Sequence, residues 1–240
     1  MSGDAGRAPT RRIGGDGLSA AGDEYRHAAA ILAHPPLLRV QHRCRSPRRG
    51  NASCGIIHRW MYTPSRGRFY LNLSEKIRDI PDFPKPGILF KDITTLLSDA
   101  EAFRAGIDEL VAKFQGERID KVVAAESRGF IFGAPMAYLL NAGFVPARKL
   151  GRLPSDTVTA EYTLEYGSNQ VEMHTDAISQ GERVLIVDDL LATGGTIGAT
   201  IELVERLGGE IAGLAFLVEL TYLHGREKIM DYRVESLVSY

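Results

Sequence analysis

The chain has 240 residues, of which 44% are hydrophobic and 25% charged, so it can fill one domain with residues left over. No stretch approaches the roughly 18 to 20 apolar residues that a membrane span requires, so we expect a soluble protein without a membrane partner. The two cysteines, Cys44 and Cys54, have nine residues between them, which fits neither a C-x-x-C redox pair nor a zinc ligand set. The cysteine-free remainder is compatible with a reducing compartment, and we expect a cytoplasmic location.

The formal net charge of −1 hides two unlike regions. Residues 1–74 contain 12 arginines, no lysine and 4 acidic residues, whereas residues 75–240 contain 17 basic and 26 acidic residues. Because the first region also lacks sustained apolar periodicity, we predict a basic, disordered extension over residues 1–73 and a folded domain over residues 74–240. The extension is a transit peptide, a nucleic-acid-binding arm, or upstream sequence translated from an over-early start, with Met61 as the true beginning. The absence of lysine favours the third explanation.

In the folded region, apolar runs predict strands, and apolar residues at helical spacing predict helices. In chain order these are a helix at 73–79 capped by Ser74, a strand at 88–90, a helix at 99–114, a strand at 121–125, a helix at 130–140, a strand at 144–149, a hairpin strand at 166–174, a strand at 184–187, a helix at 197–207, a strand at 210–220, a helical turn at 223–230 and a strand at 234–240. Three prolines exclude regular structure over 80–87, and residues 151–163 lack apolar periodicity. The alternation of strands and helices predicts an α/β fold with a doubly wound, mainly parallel sheet.

The most informative stretch is Arg183–Thr196, RVLIVDDLLATGGT. Its apolar half predicts a strand buried on both faces, which ends at Asp188 and Asp189. The next residues are small or hydroxylated and open a helix, so their N–H groups and hydroxyls suit a phosphate monoester. These residues are Ala192, Thr193, Gly194, Gly195 and Thr196. The two carboxylates would repel that phosphate and suit ribose hydroxyls or Mg²⁺. The spacing matches neither a Walker A loop nor a G-x-G-x-x-G dinucleotide loop.

A second strand-to-helix turn, at residues 126–129, follows a predicted strand at the sheet edge where open α/β proteins bind ligands. Ser127 and Arg128 offer backbone N–H groups and a bidentate guanidinium to a diphosphate. A surface ion pair between Arg128 and Glu126 is the simpler alternative. Further cationic residues, which form either a solvated surface or part of the same site, are Arg148, Lys149 and Arg152.

VLIVDDLLATGGT resembles the phosphoribosyl diphosphate (PRPP) binding motif of the type I phosphoribosyltransferases. The resemblance extends from about Ser74 to the C-terminus. The other motifs that show it are DFPKPGILFKDIT, ESRGFIFGAP, VPARKLGRLP and YTLEYG. These motifs are similar to the branch of the family that acts on adenine. The resemblance implies adenine and PRPP as substrates, Mg²⁺ as the cofactor, a homodimer, and a small hood over the base. It gives nucleic acid no role.

The same resemblance implies roles for individual residues. Phe90 matches the aromatic residue that stacks on the base, Leu89 and Lys91 lie beside it, and Leu190 closes the other face. Glu165, in YTLEYG, matches a glutamate near the C1′–N9 bond, so Glu165 and Arg128 are the expected catalytic residues. The loop before Glu165 resembles a flap that closes over PRPP and excludes water. From the residues alone, core packing explains Phe90 as well as base stacking does. Without the flanking YTLEYG pattern, Glu165 would be only a solvated loop carboxylate.

Two alternative functions remain open. An enzyme for hypoxanthine, guanine or xanthine would keep the PRPP motif and change the base pocket. A purine-type repressor would join a phosphoribosyltransferase-like domain to an N-terminal DNA-binding module about as long as the basic region. Residues 1–74 lack the amphipathic helices of such a module, and YTLEYG favours the enzyme, which would convert adenine and PRPP into AMP and diphosphate.

Overall fold

The computed structural model describes residues 71–164 and 167–240, with the side chains outside residues 163–168. Almost all of the predicted extension, including Met61, lies outside the described residues, so the domain boundary and the origin of the extension stay predictions. Glu165 also lies outside the described residues. No helix in the described part of the chain is long and apolar enough to cross a membrane.

Four α-helices, nine strands and three short 3₁₀ helices make up the described residues. The helices are α1 (Thr94–Ser98), α2 (Ala100–Lys113), α3 (Gly129–Leu140) and α4 (Gly195–Arg206). The strands are β1 (Arg78–Pro81), β2 (Leu89–Asp92), β3 (Lys121–Ala125), β4 (Gly143–Lys149), β5 (Thr157–Leu164), β6 (Gly167–His174), β7 (Arg183–Leu191), β8 (Glu210–Glu219) and β9 (Val234–Ser239). The 3₁₀ helices are Leu73–Lys76, Thr221–Leu223 and Gly225–Ile229.

Seven strands form one sheet in the order β5-β6-β4-β3-β7-β8-β9. The pairs from β4 to β9 are parallel, and β6 joins β4 and β5 in antiparallel pairs. β7 is central, and Val184–Val187 are completely buried because apolar side chains cover both faces of the sheet. Phe132 of α3 and Leu110 of α2 pack in the core on one face, and Ile197 of α4 packs in the core on the other. The expected doubly wound, mainly parallel α/β fold is confirmed.

β7 is longer than the sequence suggested. The strand does not end at Asp188 and Asp189 but continues to Leu191, because the ten-residue β8 pairs with it as far as Glu219. Asp189 is buried within this extension. The acidic pair therefore lies inside a paired strand, and its charges have to be compensated there.

The stretch at residues 151–163, for which the sequence predicted no regular element, forms a strand over much of its length. Residues 157–163 belong to β5, which pairs with β6 from Thr157 opposite His174 to Leu164 opposite Gly167. Threonine supplies the β-branched side chains that strands favour, so apolar periodicity alone gave no signal here.

The segment that precedes β2 differs from prediction as well. The expected helix at 73–79 is a 3₁₀ turn, Leu73–Lys76, and its N-cap is Asn72, whose Oδ1 accepts a hydrogen bond from the Ser74 backbone N–H. The chain then enters β1 and pairs antiparallel with β2, so Pro81 lies opposite Leu89. This proline is tolerated because the two-stranded sheet has open edges.

Candidate nucleotide-binding site at the carboxyl edge of the sheet

The carboxyl ends of β3 and β7 bring the two predicted anion-binding segments together. The two strands pair in parallel, with Lys121 opposite Val184 and Ala124 opposite Val187. The segments that follow them therefore meet at one sheet edge. Arg128 Nε donates a hydrogen bond to Asp189 Oδ2 at 2.5 Å. The residues predicted for the diphosphate and for the ribose thus contact each other directly.

Burial and the charges of Arg128, Asp188 and Asp189 shift the pKa values of groups at this contact. Burial and the neighbouring charge of Asp189 raise the pKa of Asp188 well above its ordinary value. For Arg128, burial acts to lower the pKa, but the hydrogen bond and the negative charges of Asp189, Asp188 and Asp92 outweigh it and raise the pKa. The site therefore holds a permanently cationic arginine beside two carboxyl groups that disfavour each other's charge.

Gly129 lets helix α3 begin directly beside Asp188. A Cβ atom at this position would lie 2.8 Å from Asp188 Oδ1 and 3.0 Å from the carbonyl oxygen of Val187. The first distance is shorter than ordinary Cβ contacts and the second is tight, so a larger residue would push Asp188 out of place. The glycine in ESRG is thus a packing requirement of the site.

Residues 192–196 lead from β7 into α4, as predicted: Ala192–Gly194 connect the two elements, and Gly195 and Thr196 begin the helix, two residues earlier than expected. Gly194 is the N-cap residue of α4 and has φ +76°, a conformation that favours glycine. Within the described residues, no side chain caps this helix. The N–H groups of its first turn therefore point out at the sheet edge, where an anion can accept their hydrogen bonds.

Glu126 pairs with Arg148 and not with Arg128, so the simple ion pair considered for Arg128 is wrong. Arg148 Nη2 and Nε donate to the two oxygens of Glu126 at 3.0 and 3.2 Å, and the backbone N–H of Lys149 donates to Oε2 at 3.1 Å. The hydrogen bond from Arg148 lowers the pKa of Glu126 despite partial burial. Arg148 also donates to the carbonyl oxygen of Arg152 at 3.0 Å.

Glu172 organises the same loop and was missed by the sequence reasoning. Its side chain is buried, and Oε1 accepts hydrogen bonds from the backbone N–H groups of Arg152 and Leu153 at 2.7 and 2.8 Å. Burial acts to raise the pKa of Glu172, but these hydrogen bonds outweigh it and lower the pKa. The available sequence signal was a charged residue between two apolar residues, Val171 and Met173, both of which are buried in the structure.

The residues predicted to surround the base lie on two elements. Phe90 is half-buried on β2, and its ring meets that of Phe83 edge-to-face with centroids 5.2 Å apart. Leu89 is exposed, while Leu190 of β7 is half-buried against the apolar core. Phe90 is therefore not a core residue, which leaves its ring available for a planar ligand.

Lys91 has partners that the sequence did not reveal. Its Nζ lies 2.7 Å from Asp79 Oδ1 and 3.6 Å from the centre of the Tyr240 ring. The Lys91 side chain is therefore occupied within the protein. Its neighbour Asp92 is buried and accepts hydrogen bonds from Arg78 and Thr94, which lower its pKa to about 2.

A glycine-rich loop that leads from a central parallel strand into an uncapped helix defines the class of doubly wound α/β proteins with a phosphate-type loop. The model of the phosphoribosyl transferase domain matches residues 94–238, and the chain belongs to this family. The resemblance to the type I phosphoribosyltransferases is thereby confirmed.

Curated relatives and solved structures agree with this assignment. An adenine phosphoribosyltransferase from Clostridium perfringens is 59% identical over 170 residues, which cover 71% of this chain and 99% of the relative. A crystal structure of adenine phosphoribosyltransferase from Thermoanaerobacter pseudethanolicus is 54% identical, with a TM-score of 0.68 over 70% of this chain and 98% of that one. The enzyme from Saccharomyces cerevisiae, crystallised with adenine and an imino-altritol bisphosphate, is 40% identical, with a TM-score of 0.65 over 68% of this chain and 95% of that one.

Proposed function

We propose that the protein transfers the phosphoribosyl group of PRPP to adenine and forms AMP and diphosphate in purine salvage. One observation carries the proposal: the Arg128–Asp189 contact joins the diphosphate-type turn to β7, the strand that leads into the phosphate-type loop. A ligand with a phosphate at one end and a diphosphate at the other matches this arrangement. Relatives that cover the same residues and bear the name adenine phosphoribosyltransferase support adenine as the acceptor.

The loop at residues 192–196 binds the 5-phosphate of PRPP. The N–H groups in the first turn of α4 donate to the phosphate oxygens, and Thr193 and Thr196 add hydroxyl donors. Asp188 and Asp189 accept hydrogen bonds from the ribose hydroxyls. The buried strand beneath these groups fixes the ribose relative to the base.

Mg²⁺ fits the acidic pair. Asp188 and Asp189 are hard oxygen donors, and a bound cation would offset the burial and the charge of Asp189 that raise the pKa of Asp188. Mg²⁺ usually takes one or two carboxylates and completes its shell with substrate oxygens and water. When bound, the ion supplies positive charge that stabilises the departing diphosphate. The two carboxyl groups hold and orient it.

Arg128 and the loop at 148–152 stabilise the leaving diphosphate. Arg128 exchanges its hydrogen bond to Asp189 for diphosphate oxygens, and Ser127 adds backbone and hydroxyl donors. Lys149 and Arg152 add charge at the same edge. Displacement at C1′ passes through an oxocarbenium-like state, so charge compensation and positioning lower the barrier without a covalent intermediate.

The base lies between Phe90 and Leu190, and the backbone groups of Leu89 and Lys91 bind its edge. Aromatic stacking accepts any purine, so the backbone contacts select adenine. Glu165, which lies outside the described residues, handles the proton on the purine ring.

We also propose a homodimer. Large apolar side chains are exposed on α3 and β4: Ile131, Tyr138 and Phe144. Tyr138 is 82% exposed, and a second copy of the chain that covered these three side chains would remove their apolar surface from water. Sedimentation of the wild type and of a Tyr138→Asp variant tests this, because the variant should sediment as a monomer.

The activity is tested by measuring nucleotide formation from PRPP and Mg²⁺ with adenine, hypoxanthine, guanine or xanthine as the acceptor. We expect AMP from adenine and little product from the other three bases. Efficient turnover of hypoxanthine, guanine or xanthine would assign the protein to another branch of the family. Failure to form any nucleotide, combined with specific DNA binding, would favour the repressor.

A further inference from the structure

A 3₁₀ helix that follows β8, Gly225–Ile229, begins directly against the backbone of the phosphate loop at residues 192–196. A Cβ atom on Gly194 would lie 2.8 Å from the carbonyl oxygen of Gly225. A Cβ atom on Gly225 would overlap the carbonyl oxygen of Ala192 and lie 2.9 Å from the backbone nitrogen of Gly194. The two chain segments therefore touch with no side chain between them, and any displacement of Gly225 is transmitted to the loop.

An ion pair holds Gly225 in this position. Arg226, the next residue, donates to both oxygens of Glu219 at 2.8 and 2.5 Å. Glu219 is the last residue of β8, is buried, and also accepts a hydrogen bond from the Ser236 hydroxyl at 2.8 Å. A further hydrogen bond runs from Arg226 to the carbonyl oxygen of Val234 at 3.2 Å. Arg226 is thus fixed to two strands at once.

The same strand end is tied to β7, which leads into the loop. The backbone N–H of Leu220 donates to the carbonyl oxygen of Leu191 at 2.9 Å. The hydrogen bond from Arg226 also lowers the pKa of Glu219, so the carboxylate stays charged and the pair stays ionic. The loop is consequently held from both sides by β7 and by the Glu219–Arg226 pair.

We propose that Glu219 and Arg226 are positioning residues for the phosphate loop. They touch no substrate; they fix Gly225, and Gly225 fixes the direction of the N–H groups of the loop at 192–196. The pair therefore sets the affinity for the phosphate end of the ligand and leaves the affinity for the free base unchanged. This inference rests on the proposed role of the loop in binding PRPP.

The test compares Arg226→Gln with a matched control, Arg233→Gln. The side chain of Arg233 is 41% exposed against 43% for Arg226, and it pairs with Glu117 and Glu235 at the amino end of β9. We expect Arg226→Gln to raise KM for PRPP and Kd for AMP about tenfold, which corresponds to about 1.4 kcal/mol of binding free energy. KM for adenine should stay within about twofold of the wild-type value. The control should leave all three values unchanged. Equal effects of the two variants, or a parallel rise of both KM values, would overturn the proposal.

Two further variants keep the result decisive. Arg226→Lys retains the charge and should fold even if Arg226→Gln does not, with a smaller but still PRPP-selective loss because lysine cannot bind both carboxylate oxygens. Thr196→Ala tests the loop itself. If Thr196→Ala leaves KM for PRPP unchanged, the proposed function of the loop fails. If it raises this KM while Arg226→Gln and Arg226→Lys do not, the positioning role alone fails.

Discussion

The loop at residues 192–196 and the turn at residues 126–129 both follow strands of the parallel sheet, but different forces hold them in place. The loop is fixed by backbone contacts, because Gly194 and Gly225 touch with no side chain between them. The turn is fixed by ion pairs that join Arg128 to Asp189 and Glu126 to Arg148. In the proposed mode of binding, a phosphate meets N–H groups that no side chain caps, whereas a diphosphate at the turn has to displace Asp189 from Arg128.

The largest expected effect comes from the acidic pair, where the two regions meet. Replacing both residues, Asp188→Asn with Asp189→Asn, should lower kcat/KM for PRPP by about 10³-fold, since charge stabilisation at a reacting centre has this scale. The unfolding temperature should change little. Asp189→Asn weakens the contact with Arg128, but Asp188→Asn removes the mutual repulsion of two buried carboxyl groups. Steady-state kinetics and calorimetry measure both quantities, and wild-type turnover would refute the assignment of the motif.

Glu165 belongs to neither region, so its variant separates chemistry from ligand binding. Glu165→Gln should lower kcat by about 10²-fold, the usual scale of general acid–base catalysis. KM for PRPP should stay close to the wild-type value because loop and turn are intact. A variant with normal kcat and a raised KM for PRPP would assign Glu165 to ligand positioning instead.

The Glu126–Arg148 pair tests whether charge compensation controls the turn. Arg148→Gln leaves the charge of Glu126 uncompensated, so KM for PRPP should rise about tenfold through repulsion of the diphosphate. Glu126→Gln is the matched control and should not raise this KM, since it removes a negative charge. Equal increases in the two variants would show that the pair acts through packing and not through charge.

Asp92 offers a smaller, pH-dependent effect on stability. Its pKa is about 2 in the folded protein against an ordinary value of 3.8, so its charged form stabilises the fold above pH 3.8. As the pH falls from 3.8 through about 2, this contribution of roughly 1 to 2 kcal/mol should be lost. The free energy of unfolding of Asp92→Asn should change less over this pH interval than that of the wild type. Urea titrations at several pH values measure this difference.

The smallest expected effect is that of removing residues 1–60. A chain that starts at Met61 should keep its activity with adenine and its unfolding temperature, because a basic segment with little apolar periodicity contributes little to a core. Removal of this segment should also abolish any salt-sensitive retention of the protein on a nucleic-acid column. A marked loss of activity or stability would show that the segment packs on the domain.

The two regions also differ in how well the sequence predicts them. A strand, small residues and a helix pattern follow one another along the chain, so the sequence sufficed to place Ala192–Thr196 between β7 and the first turn of α4, although it did not reveal the contact with Gly225. The pairing of Arg128 with Asp189 joins residues 61 positions apart, and no local pattern encodes it. The same holds for Glu172, which reaches back to the backbone of Arg152. Tertiary contacts of this kind explain why the alternative pairing of Arg128 with Glu126 was wrong and why Arg148 was not foreseen as the partner of Glu126.

Because Arg128 and Asp189 neutralise each other, the ligand-free site carries its own counterions. In the proposed mode of binding, Arg128 would exchange Asp189 for diphosphate oxygens, and Asp189 would be free to hold Mg²⁺, so that two ion pairs would replace two others. A lone anion such as inorganic phosphate would leave Asp189 without its cation, which makes its entry unfavourable. The internal ion pair would thus favour ligands that bring both charges.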